Sequence, residues 1–212
     1  MNINYQLLEQ QLAIVTEQRT DAFFTMPAER LLDRGQLVAF LEIYQEKIKG
    51  LDLQVSATYF ASSWRVVCAA LHYMVSVTSG KLHFSLDNLT LQLVMVNGFP
   101  WVYFVLNDKA EQPWPTIDRH SWQTRELTRF YGEVLRPVME NMAAVSKLPV
   151  AQLWGQLPLG VQYYVHAIAA RLEEEDSRSQ LLEEYEGVKE LPAEVFGSSF
   201  TRSEEHTSEL QS

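Results

Sequence analysis

The sequence predicts a mainly helical α+β fold, a helical core carrying a small antiparallel β-meander or hairpin, and three observations point there. Across residues 122–168, Leu127, Phe130, Tyr131, Val134, Leu135, Val138, Met142 and Val145 recur at spacings of one, three and four, which marks one broad helical face that must be buried. Residues 55–78 form a second apolar stretch, whose small residues Ala57, Ala61, Ala69 and Ala70 let neighbouring helices approach closely. Between these two blocks the apolar period drops to two, and an Asn97-Gly98 pair supplies the positive backbone angles of a tight hairpin turn.

Taken in order, residues 5–18 place Leu7, Leu8, Leu12 and Val15 at helical spacing, an amphipathic helix. Residues 20–27 read as a loop, residues 28–33 as one helical turn, and residues 36–48 as a helix ending at Gly50. Residues 55–78 predict a single central helix stopped by Ser79-Gly80. Leu82, Phe84 and Leu86 alternate, and so do Leu89, Leu91, Leu93 and Met95, so residues 90–96 and 101–106 are expected to pair antiparallel. Residues 108–118, with Pro113 and Pro115 around Trp114, return as a loop. Pro137 removes one backbone donor and is expected to bend its helix without ending it, because the apolar period resumes beyond it. Pro149 and Pro158 bound a short segment at 150–157, followed by helices at 159–175 and 179–186. The natural division falls into an N-terminal helical layer, 1–54, and a main domain, 55–201.

Composition narrows the function classes. Seventeen basic against 27 acidic residues give a net charge of −10, which argues against nucleic acid, since displacing counterions needs clustered Lys and Arg. No apolar run approaches the roughly 20 residues of a membrane span, and residues 1–18 lack the basic start of a secretory signal. A single cysteine, Cys68, forms no internal disulfide and fits a reducing, cytoplasmic setting.

The order F-Y-x-x-x-L-R-P-V from Phe130, then L-P-V-A-Q-L-W-G-Q from Leu148 and a Tyr-rich helix, resembles the ferric siderophore reductases of the FhuF type, related to the C-terminal domain of siderophore synthetases. The likeness runs loosely from about Val55 to about Phe200. It implies a cytoplasmic protein that takes a ferric siderophore and an electron donor of unknown identity, and reduces Fe(III) to Fe(II) by one electron through a [2Fe–2S] cluster. In that family the cluster sits on four C-terminal cysteines beginning with a Cys-Cys pair, and this chain carries none of them. Its last eleven residues, R-S-E-E-H-T-S-E-L-Q-S from Arg202 to Ser212, match the translation of a common high-throughput sequencing adapter. They are treated as a non-native tail, so the parent's own sequence is expected to continue differently after about residue 201. The chain as it stands is expected to bind no cluster and to be inactive as a reductase.

Candidate chemistry is sparse. Cys68 and His72, four apart on one helix, share a face and offer two ligands to a soft metal, but two do not complete a site. A buried thiol beside a core histidine is the reading that pattern favours. His83, His120 and His166 show no metal spacing, and the run Glu173-Glu174-Glu175-Asp176 reads as a solvated helix end. No nucleophile elbow, phosphate loop or dinucleotide fingerprint occurs, so no catalytic or metal-ligating residue is nominated.

The aromatic supply carries more information. Trp64, Trp101, Trp114, Trp122, Trp154, Tyr163 and Tyr164 are interspersed with Arg65, Arg129 and Arg136, and rings with guanidinium groups suit a bulky, part-apolar ferric chelate. Trp154 and Gln156, in the Leu-Trp-x-Gln element, lead the substrate-binding candidates, with Arg65 and Tyr163 beside them. Besides the reductase, two further readings stand: a redox-silent relative that sequesters or hands on a siderophore, and a helical interaction protein with no small ligand.

Overall fold

The computed structural model describes residues 1–114 and 118–188. The expectations for residues 115–117, for the segment after Pro192 and for the adapter-like tail lie outside the described residues. The fold is α+β and mainly helical, with a four-stranded mixed sheet and a separate two-stranded pairing.

Helix α1 (Tyr5–Leu12) starts where the Asn4 side chain accepts a hydrogen bond from Leu7 N–H at 3.0 Å. It stops far short of residue 18. Ala13 turns into the left-handed region at φ 51°, and Ile14–Val15 then runs as β1, parallel to β5 (Phe99–Leu106) with Ile14 beside Phe104. Both residues are buried, and the sheet satisfies the backbone that the helix would otherwise have used. Residues 22–27 are likewise no loop: Ala22–Pro27 is β2, an edge strand antiparallel to β4 (Leu89–Val96). Buried Gln92 of β4 anchors the approach to it, accepting from Arg19 N–H at 2.8 Å and donating to the Thr25 hydroxyl at 3.1 Å. The sheet order is therefore β1-β5-β4-β2, with strands drawn from both sides of residue 54.

A 3-10 turn at Ala28–Leu32 leads to α2 (Arg34–Ile48), capped by Asp33, which accepts from Gln36 N–H at 2.9 Å. The single helix expected over 55–78 is two helices, α3 (Leu53–Ser63) and α4 (Arg65–Val77), joined at Trp64. Trp64 is fully buried, edge-on to Phe104 of the sheet with ring centroids 5.0 Å apart, so the joint is held by packing against β5. Every residue from Val66 to Val77 is buried, which makes α4 the axis of the core. Small side chains on it admit α1, α5, α8 and α9, whose ranges follow.

The hairpin forms as its sequence requires. Asn97 and Gly98 both have positive φ, 51° and 80°, and Val96 faces Phe99 across the turn. Leu82, Phe84 and Leu86 are buried but join no strand, so the third meander strand is absent: alternation there reports burial without pairing. The short strand before them, β3 (Gly80–Lys81), pairs instead with β6 (Gln112–Pro113).

Helix α5 (Arg119–Arg129) continues through a π-helical stretch, Phe130–Leu135, into α6 (Arg136–Ser146). Arg136 N–H reaches back five residues to Tyr131 O, and this wider turn lies where the Pro137 ring would crowd the Glu133 carbonyl. The helix thus passes through Pro137. Seven of the eight residues on its predicted face are buried, Val145 being half-buried. Then come α7 (Val150–Trp154), α8 (Pro158–Ala169) with proline at its first position, and α9 (Glu175–Val188). Helix α8 ends six residues earlier than expected and α9 starts four earlier. The acidic run consequently places Glu175 and Asp176 in the first turn of α9, where carboxylates favour the helix dipole, and not at a helix end that they oppose. No helix among the described residues is long and apolar enough to cross a membrane.

Candidate functional site

Strand β5 alternates in burial along most of its length. That alternation holds over its first six residues only: Pro100, Val102 and Phe104 are buried, Phe99 and Trp101 are 39% and 45% exposed, Tyr103 is half-buried, and Val105 and Leu106 are both buried. Opposite the exposed rings, α3 presents Tyr59, 48% exposed, with its ring centroid 5.9 Å from that of Phe99. The break between α3 and α4 brings Ser62, Ser63 and Arg65 to the same place, and α8 closes the far side with Tyr164. The result is a groove of about 250 Å³ whose lining combines rings, two hydroxyls and one guanidinium.

Arg65 is the charged group of this groove. Its guanidinium lies over the Tyr164 ring, 5.7 Å from the centroid, and its side chain passes so close to Gly160 that a Cβ there would stand 2.3 Å from Arg65 Cδ. A residue with a side chain at 160 would push the arginine aside. Arg65 Nε is buried with no hydrogen-bond acceptor, and no carboxylate among the described residues lines the groove. Burial pushes the Tyr44 phenol at the groove floor up, with Tyr59 adding to that and the Arg65 charge opposing it.

The sequence-nominated residues divide between this groove and the core. Arg65 lines the groove, whereas Tyr163, 67% exposed, is not among its lining residues; its ring lies 5.2 Å from that of Tyr164 and nearly perpendicular to it. Trp154 is 1% exposed and packs near Tyr131 at 6.5 Å between centroids, so it faces the core and not the groove. Gln156 is half-buried on the surface of the α7–α8 connection and donates to Gln152 O at 3.1 Å. Tyr59 and Phe99 were not anticipated. Their signal was present: F-P-W on a strand puts two large rings on the phase of the hairpin that a buried face does not use.

Cys68 and His72 do share a face, and Tyr131 of the π-helical stretch joins them. Its hydroxyl lies 3.1 Å from His72 Nε2 and is hydrogen-bonded to the Cys68 thiol. The ring of Tyr185 meets His72 edge-on at 5.2 Å. Burial pushes the thiol up to about 12, takes the imidazole down to about 3 and raises the Tyr131 phenol well above its ordinary value, so all three are neutral. A [2Fe–2S] cluster needs four ligands, chiefly thiolates, and the residues present do not fit one: the chain has a single thiol, fully buried and held in its protonated form. A cavity of about 520 Å³ adjoins His72 between α4, α5 and α9, and Gln123 there spans from Val75 O to the Glu184 carboxylate.

No family model, curated protein or solved structure matches this chain.

Proposed function

We propose that this chain is the chelate-holding shell of a ferric siderophore reductase of the FhuF type, working in the cytoplasm on a ferric siderophore. One observation supports this reading above the others. The groove on the hairpin face offers exposed ring surfaces and a fixed cation together, the combination that binds a part-apolar, oxygen-rich chelate. Trp101, Phe99 and Tyr59 would pack against the chelate's hydrocarbon arms, while Arg65 would meet its oxygens. The role of these residues is to bind and orient. Reduction, which frees iron because hard oxygen chelators hold Fe(II) far more weakly than Fe(III), belongs in this reading to the cluster-bearing part of the parent protein and its unidentified electron donor.

The second reading, a redox-silent protein that sequesters or hands on a siderophore, draws on the same groove and on the buried, protonated state of the chain's one thiol. The two separate on one fact, whether the uncorrupted gene encodes further cysteines after codon 201. Sequencing through that point decides it, and a reading frame without them removes the reductase assignment. Titrating a ferric hydroxamate against the intrinsic fluorescence of the purified chain tests the shared part: quenching that disappears in Trp101→Ala is the expected result. Absence of quenching would leave a helical interaction protein with no small ligand. A stoichiometric [2Fe–2S] absorption spectrum from the chain as it stands would contradict the cluster-free shell.

A further inference from the structure

Resting on the chelate-binding reading, we infer that the groove selects an anionic aryl-oxygen ligand, a catecholate or hydroxybenzoate arm of a ferric chelate, in preference to an uncharged hydroxamate. Arg65 is the specificity-determining residue. The chain as a whole is acidic, with 27 carboxylate residues against 17 cations, yet Arg65 forms no ion pair or hydrogen bond among the described residues. The Arg65 Nε–H is closed off by packing, so the terminal guanidinium N–H groups, which no described residue engages, are the donors that the groove offers a ligand. The two terminal N–H groups of an arginine fork present parallel donors, which match a carboxylate or a pair of catechol oxygens and cannot be matched as well by one neutral carbonyl.

Size agrees with charge. At about 250 Å³ the groove falls below the range of roughly 300–1,000 Å³ that encloses a whole drug-sized ligand, so it fits one aryl arm while the rest of the chelate stands outside it. The opposing rings of Trp101, Phe99 and Tyr59 provide faces for a planar arm, where an aliphatic hydroxamate chain would leave them half used. Gly160 acts as a positioning residue, because its missing side chain is what lets Arg65 lie against α8.

The test measures fluorescence or calorimetric titrations of the full chain with three probes: a ferric triscatecholate, a neutral ferric trishydroxamate and iron-free dihydroxybenzoate. Expected is binding of the triscatecholate at least about tenfold tighter than the trishydroxamate, with a preference that shrinks as salt rises. Arg65→Gln and Gly160→Ala should each remove that preference, with the triscatecholate losing about tenfold more affinity than the trishydroxamate. The wild-type preference and its salt dependence are readable even where a variant fails to fold. Equal or tighter binding of the trishydroxamate overturns the inference and leaves the proposed function standing. Binding of dihydroxybenzoate alone, with neither ferric chelate bound, supports the anion selectivity and overturns the siderophore reading. Failure of all three probes overturns both.

Discussion

Helix α4 carries side chains of two chemistry-bearing clusters, and they are built on opposite terms. In the core, Cys68, His72 and Tyr131 satisfy one another, exclude water and are all held neutral by burial. At the groove, Arg65 lacks an acceptor among the described residues and sits among rings that are about 40–50% exposed. A polar cluster with its hydrogen bonds closed internally has little left to offer a ligand, whereas one with an unmet donor does. Residue type alone therefore does not locate the site. The Cys-x-x-x-His pair is the more chemical of the two in sequence and the more structural of the two in space.

Substitution separates the clusters, and the effects should rank in a definite order. Trp154→Ala empties a packed position beside Tyr131 and should lower stability by about 3–5 kcal/mol in chemical denaturation, without selectively altering groove binding in whatever fraction remains folded. Tyr131→Phe strips the hydroxyl from His72 Nε2 and should cost about 1–3 kcal/mol by the same measurement. Acid should act through His72. Its pKa is about 3 when folded against an ordinary 6.5, so the unfolded chain takes up the proton first. The stability this residue contributes is complete above pH 6.5 and is lost as pH falls towards 3, at roughly 1.4 kcal/mol per pH unit. Urea melts at pH 7 and pH 5 should show that slope, and His72→Phe should flatten it. Smallest in stability is Trp101→Ala, expected to shift the melt by no more than about 0.5 kcal/mol while sharply weakening chelate binding. A large loss of stability there, with binding intact, would erase the distinction between the two clusters.

Much of the helical core was legible because a long amphipathic period fits little besides a helix with one buried face. The face from Leu127 to Met142 is buried as its spacing demands, and the Asn97-Gly98 turn needed only local chemistry. The N-terminal strands were not legible. Ile14-Val15 is two residues long and continues the helical spacing of Leu8 and Leu12, so its pairing with Phe104 and Val105 is decided by a segment far away in sequence. Residues 22–27 end in proline and alternate only weakly in burial, which suits an edge strand and resembles a loop. Of the site, Arg65 was visible through its mixture with aromatics. That Trp154 belongs to the core was not, because a tryptophan in a helix shows its size in sequence and not its direction.

The parallel seam between β1 and β5 has a cost in time. Ile14 leaves the ribosome on the order of ten seconds before Phe104 exists to receive it, at ordinary rates of synthesis. Until then Ile14 and Val15 have no strand to pair with. This seam therefore closes only after the residues of β5 have been made, so β1 waits for its sheet through the synthesis of everything between them.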